Sequence, residues 1–202
     1  ICGLNSFSMD TSNGSDSFSS GLRLESIKSH DATDYKTRIT NNTIIGRKNG
    51  SWNNDSSGRP LNGCAVTIAG ESSCLVQGNT IKGQETHEDG ACTETIIFGL
   101  NVSGSGTTAA SSLVVNNNAL EGGYNGSTLR GASIELSSPI TTEISGNTIT
   151  GMCGDDTGIP FTIAYGLYLS SASARVYNNT IVGTRSNNII THGQICGIHT
   201  GN

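Results

Sequence analysis

Charge is what this sequence has least of. Only 13% of its 202 residues are Asp, Glu, Lys or Arg, about half the usual share of roughly 25%. Aromatic residues make up 5%, and prolines number 3. Eleven Lys and Arg stand against 16 Asp and Glu, a net charge of −5. A protein that grips duplex nucleic acid carries a basic face, and no stretch here supplies one. Long apolar runs are missing as well, so no segment reads as a membrane-spanning helix. A coiled coil or helical bundle needs far more Ala, Leu, Glu and Lys. The length suits a single domain covering 1–202.

What fills the space is small and polar. Gly, Ser, Thr and Asn supply 27, 27, 23 and 20 residues, together 97 of 202. Such a composition also occurs in disordered segments. The spacing of the apolar residues points the other way.

One phrase recurs five times: Asn42-Thr43-Ile44-Ile45-Gly46, Asn79-Thr80-Ile81-Lys82-Gly83, Asn118-Ala119-Leu120-Glu121-Gly122, Asn147-Thr148-Ile149-Thr150-Gly151 and Asn179-Thr180-Ile181-Val182-Gly183. The steps between them are 37, 39, 29 and 32 residues. The residue before each phrase is only ever Asn or Gly: Asn41, Gly78, Asn117, Gly146 and Asn178. Three residues before the leading Asn stands a β-branched aliphatic: Ile39, Val76, Val115, Ile144 or Val176. Only Gly and, less readily, Asn enter the left-handed backbone region cheaply. A sharp bend is therefore expected at that point in every unit. The Asn that follows is placed to stack on its counterpart one unit away, donating and accepting along a ladder.

A second phrase precedes each unit: Gly21-Leu22-Arg23-Leu24, Gly63-Cys64-Ala65-Val66, Gly99-Leu100-Asn101-Val102, Gly131-Ala132-Ser133-Ile134 and Gly166-Leu167-Tyr168-Leu169. Period-two alternation over so few residues means short strands, and no run sustains a period of 3.6. On this alignment Cys64 takes the inward place of Leu22 and Leu100. The outward positions read Arg23, Ala65, Asn101, Ser133 and Tyr168.

Short strands, tight bends and a repeat of about 30 to 40 residues describe a stack in which no unit buries its aliphatics alone. The repeated Asn-Asn-Thr-Ile-x-Gly and Gly-Leu-x-Leu phrases resemble the right-handed parallel β-helix repeats of the pectin-lyase-like superfamily. They are similar to the Asn-rich repeats of NosD-type proteins and bacterial surface proteins. The resemblance implies an all-β, right-handed parallel β-helix of about five complete coils, open at both ends. Its units end near residues 46, 83, 122, 151 and 183, with partial coils at 1–3 and 197–202. Five rungs span about 24 Å at roughly 4.8 Å each. The superfamily includes lyases, hydrolases, adhesins and shafts, so the likeness carries architecture rather than activity.

The chain opens on Ile1-Cys2-Gly3, which matches the Ile-x-Gly tail of a unit, and its last strand phrase starts at Gly197-Ile198. No Met or signal peptide precedes it, which implies processing or excision. Two expectations follow: the chain is part of a longer β-helix, or copies stack head to tail through Ile1, Cys2 and Gly3 at one end and Cys196, Gly197 and Ile198 at the other. Heterologous contacts that do not close make filaments. The six cysteines at 2, 64, 74, 92, 153 and 196 suit an extracellular or cell-surface setting. Cys92 could pair with Cys153, and Cys2 of one copy with Cys196 of another. No Cys-x-x-Cys is present, and no metal site is expected.

A polysaccharide enzyme is the alternative function. Gly154-Asp155-Asp156 resembles the Gly-Asp-Asp of polygalacturonases, and Thr191-His192-Gly193 resembles their Gly-His-Gly. That likeness makes Asp155, Asp156 and His192 the catalytic candidates. The acid of the upstream Asn-Thr-Asp is missing at Asn147-Thr148-Ile149, and the family's Arg-Ile-Lys has no match at the matching place. Pectate lyases place calcium-binding acids on outward strand positions, and here Glu25 and Glu135 lie three units apart. Calcium has one candidate site, Glu85, Glu88, Asp89 and Glu94 in the 84–98 loop, without a regular motif spacing. Trp52 and Tyr124 are the candidates for stacking on a glycan. No other cofactor is implied. The reading the residues favour is a secreted or surface-attached structural β-helix without catalysis. Its partners are copies of itself or the rest of a longer chain, and glycans under the alternative.

Overall fold

The structure is a computed structural model, and it describes residues 17–25, 37–47, 61–69, 74–84, 96–104, 112–124, 128–136, 141–153, 162–170, 173–185 and 193–201. Sixteen strands occupy them. They are β1 (Ser17–Glu25), β2 (Thr37–Thr40), β3 (Thr43–Arg47), β4 (Leu61–Ala69), β5 (Cys74–Gln77), β6 (Thr80–Gln84), β7 (Ile96–Gly104) and β8 (Ser112–Asn116). The series continues with β9 (Ala119–Gly123), β10 (Thr128–Leu136), β11 (Thr141–Ser145), β12 (Thr148–Met152), β13 (Thr162–Ser170), β14 (Ala174–Tyr177), β15 (Thr180–Thr184) and β16 (Gly193–Gly201).

The strands sort into three sheets. The first runs β1-β4-β7-β10-β13-β16, the second β14-β11-β8-β5-β2 and the third β15-β12-β9-β6-β3. Every pairing is parallel. The chain visits the three sheets in turn and then returns to the first, one strand further along. That is the construction of a parallel β-solenoid: an all-β stack in which each rung lies on the last.

Period-two alternation decides which side chains face inward. In the first sheet Leu22, Val66, Leu100, Ala132, Leu167 and Ile198 share one register line. The second sheet sends in Ile39, Val76, Val115, Ile144 and Val176, and the third Ile44, Ile81, Leu120, Ile149 and Ile181. Apart from Ile198 at the end strand, these columns meet in one continuous core. Burying such an aliphatic completely contributes about 1.5–3 kcal/mol. One rung supplies a few such residues, so stability accumulates only along the stack.

Glycine lets the first and third sheets touch. Gly46, Gly83, Gly122, Gly151 and Gly183 of the third sheet lie against Gly21, Gly99, Gly131, Gly166 and Gly197 of the first. A Cβ on Gly99 would stand 2.5 Å from the Glu121 carbonyl oxygen and 2.6 Å from that of Gly131. A Cβ on Gly131 would stand 2.7 Å from the Thr150 oxygen, and one on Gly151 would stand 2.5 Å from the Tyr165 oxygen. Backbone approaches backbone there, and beside these glycines little room is left for a side chain. Beyond this pinch Ile97, Leu129, Met152 and Ala164 form a second, smaller core.

The pinch also corrects the alignment of one strand. The register pairs Val66 with Leu100 and Cys64 with Phe98. The phrase in β4 is therefore Ala65-Val66-Thr67-Ile68, with Ala65 in the glycine column. Gly63, two residues earlier, is a false match. The outward residue is Thr67, not Ala65, and Cys64 is not in the inward column of Leu22 and Leu100. Cys64 is nonetheless fully buried, and its thiol donates to the Val66 carbonyl oxygen at 3.0 Å.

Cys64, Cys74, Cys153 and Cys196 are free thiols, and Cys2 and Cys92 lie outside the described residues. Burial pushes Cys64 from the ordinary 9.0 up to about 12. Burial does the same to Cys74. The folded state therefore holds these protons longer than the unfolded chain. Their contribution to stability is complete below about pH 9 and is lost as pH rises towards 12. Thiolate is the reactive form. At pH 8 a thiol-specific reagent should leave Cys64 and Cys74 unmodified in the folded protein and label both in denaturant, as read by peptide mass spectrometry.

Candidate functional site

The bend between the second and third sheets is the most constrained feature along the stack. Asn41, Gly78, Asn117, Gly146 and Asn178 have φ of 57°, 67°, 54°, 67° and 54°. All five sit in the left-handed region. The turn each makes directs the following Asn side chain towards the adjacent rung.

The following asparagines form a polar ladder. The Asn42 N–H and Nδ2 donate to Asn79 Oδ1 at 2.9 and 3.3 Å. Asn79 donates in the same way to Asn118 Oδ1 at 2.9 and 3.0 Å. Asn118 donates to Asn147 Oδ1 at 2.9 and 3.0 Å, and Asn147 to Asn179 Oδ1 at 2.8 and 2.9 Å. Each Nδ2 also reaches a backbone carbonyl; Asn79 reaches Ile39 at 2.7 Å, Asn118 reaches Val76 at 2.9 Å, and Asn147 reaches Val115 at 2.8 Å. Asn79, Asn118 and Asn147 are buried. The amide-to-amide bonds have one direction, each Asn donating to the Oδ1 of the rung that follows, while its Nδ2 also reaches back to a carbonyl of the rung before.

Gly and Asn alternate at the bend, and each Asn side chain reaches over the Gly of the next rung. A Cβ on Gly78 would collide with Oδ1 of Asn41, and one on Gly146 with Oδ1 of Asn117. The asparagine at one bend leans over the next and occupies the place of its side chain. Glycine at the next bend leaves that side chain room to lie there.

The second candidate region is the outer face of the first sheet. Arg23, Thr67, Asn101, Ser133, Tyr168 and His199 form one outward column. Beside it, one residue before the glycine column, stand Cys64, Phe98, Arg130, Tyr165 and Cys196. The Arg130 guanidinium lies 3.8 Å from the Tyr168 ring centre and 5.0 Å from that of Phe98. His199 stacks on Tyr165 at 4.4 Å and 3°, and on Tyr168 at 5.5 Å and 12°. Arg130 Nη1 donates to Glu135 Oε1 and to Ser133 Oγ, each at 2.8 Å. Phe98, Arg130, the two tyrosines and His199 thus follow one another along the axis, with ring faces covered by neighbouring rungs. Cation–π contacts of this kind contribute about 0.5–2 kcal/mol. Arg130 and Tyr165 escaped the sequence reading; their signal was the residue before each glycine of the first sheet, which begins to line up only at Phe98-Gly99.

Glu25 and Glu135 share a register line three strands apart through Ala69 and Ser103. That places their backbone positions about 14 Å apart along the stack at the usual strand spacing. Glu135 is in addition tied to Arg130. Asp155, Asp156 and His192 lie outside the described residues, as do Trp52, Glu85, Glu88, Asp89, Glu94, Ile1, Cys2 and Gly3. Tyr124 is half-buried; desolvation is the leading cause that raises its hydroxyl pKa. Lys82 and Arg185 both approach Glu121, at 3.3 and 3.5 Å, on the third sheet's outer face. Among the described residues no three His, Cys, Asp or Glu side chains come together to hold a metal.

In comparisons of sequence and of fold, no family model, no curated protein and no solved structure matched the chain. The class is therefore defined by the geometry alone: a parallel β-solenoid with an internal asparagine ladder.

Two outcomes follow. Asn118→Ala removes the acceptor of two buried donors and the donor to two carbonyls. With about 1–3 kcal/mol for each buried group left unpaired, it should destabilise by about 3 kcal/mol or more in urea titration, and Asn179→Ala, at the half-buried end, by clearly less. Gly78→Asn should destabilise although Asn tolerates the backbone angle; adding Asn41→Gly should recover most of the loss, measured as a double-mutant coupling.

Proposed function

We propose that the chain is a non-catalytic structural β-helix, a single right-handed domain over 1–202 with five complete coils whose ends accept further rungs. The observation that carries this reading is the directional asparagine ladder through five rungs, with the same axial order repeated in the glycine and aromatic-arginine columns. Nearly every polar group that sequence repetition sets apart is directed at the neighbouring rung rather than at a shared pocket. Such a design resists unfolding and propagates along one axis, and it suits a shaft.

The end strand supports extension. Ile198 is 49% exposed in the register line where Leu167 is 0% exposed. Further rungs come from a longer chain or from a second copy stacked head to tail. Six cysteines and low charge favour a secreted or cell-surface setting. Polysaccharide binding or cleavage is the weaker reading, because the aromatic faces of the first sheet cover one another.

Electron microscopy and sedimentation over a wide concentration range test end-to-end assembly. Filaments one solenoid wide, lengthening with concentration, are expected. A short particle of constant size at every concentration would count against assembly of copies.

A further inference from the structure

The repeat sorts its asparagines into those that face the core and those that face water. Each ladder asparagine, Asn42, Asn79, Asn118, Asn147 or Asn179, is followed two residues on by an inward aliphatic: Ile44, Ile81, Leu120, Ile149 or Ile181. None of them therefore starts an Asn-x-Ser/Thr triplet, the acceptor pattern for N-linked glycans. The bend residue stands one place earlier, so the Thr of the phrase lies two residues after it. Among the described residues three asparagines begin the triplet: Asn41 with Thr43, Asn178 with Thr180, and Asn101 with Ser103. Asn41 and Asn178 are bends at positive φ, and both are exposed, as are Thr43 and Thr180. Asn101 is half-buried in the outward column of the first sheet, in register between Thr67 and Ser133. The bend corner is also the plainest of the stack, since one bend residue and one ladder residue join the second sheet to the third in every rung.

We infer that Asn41 and Asn178 are acceptor sites for N-linked glycans, carried on one corner of the solenoid. In the transfer Asn Nδ2 bonds the anomeric carbon of a lipid-pyrophosphate-linked oligosaccharide. The lipid pyrophosphate leaves with the bonding electron pair, and the amide gives up one proton. The two acceptors lie four rungs apart, about 19 Å along the stack at the usual strand spacing. Asn117, the bend between them, begins no triplet because Ala119 stands where Thr43 and Thr180 stand. Glycans at these bends leave the buried ladder and the glycine pinch untouched, and they add polar bulk to a chain with little charge. The inference rests on the secreted or cell-surface reading, which brings the chain to the transferase.

The full chain, fused to a secretory leader and released by a eukaryotic cell that makes N-linked glycans, tests it. Peptide N-glycosidase in heavy-oxygen water turns each formerly occupied Asn into a labelled Asp, which peptide mass spectrometry locates. Label is expected at Asn41 and Asn178. Thr43→Ala and Thr180→Ala should each lose one glycan, and Ala119→Thr should gain one at Asn117. These exchanges stay within a column that holds both Thr and Ala. An empty Asn41 or Asn178 in the released protein would overturn the inference, as would no gain at Asn117. So would occupied chains that melt without a cooperative transition while the Thr43→Ala/Thr180→Ala chain keeps one. Because the leader is supplied, the result stands apart from where the native chain resides, which its release into the medium by its own cells decides.

Discussion

Everything in this molecule depends on holding successive rungs in register. Parallel strands slide easily where one rung resembles the next, and a slip of one residue turns the core face outward. The asparagine ladder prevents it. Each buried amide accepts two bonds from the preceding rung and gives its own N–H groups to the following rung and to backbone carbonyls. A shift of one residue would strand several buried polar groups at once, at about 1–3 kcal/mol apiece. Register is thus enforced by polar satisfaction as well as by the shape of the core.

The left-handed bend serves that ladder, and the glycine pinch closes the other corner. Bends at positive φ aim the amide along the axis. The paired glycines bring the first and third sheets to backbone contact, which separates the main core from the small one around Met152. Outside, Phe98, Arg130, Tyr165, Tyr168 and His199 repeat the theme with π faces in place of amides. The three devices differ in chemistry and share a direction.

Much of this was legible in the chain. The five Asn residues that bond in a column recur at one phase, and each stands after a residue drawn only from Asn and Gly. The inward columns of the second and third sheets could be read because the phrase aligns them without a gap. The strand around Cys64 could not. Its true column residue is Ala65, and a nearby glycine, Gly63, offers a false match. The aromatic-arginine column was invisible for a related reason: its members share no residue type, only a place beside the glycines.

The sequence by itself determined the repeat, the bends and the inward aliphatics, since these follow from local backbone preference and period-two alternation. Tertiary structure alone decided which atoms meet across rungs. That an asparagine at one bend lies over a glycine at the next concerns residues 37 and 29 positions apart, and no local propensity contains it. The alternation is visible in the sequence, but that the Asn Oδ1 of one rung reaches into the space beside the glycine of the next is seen only in the fold.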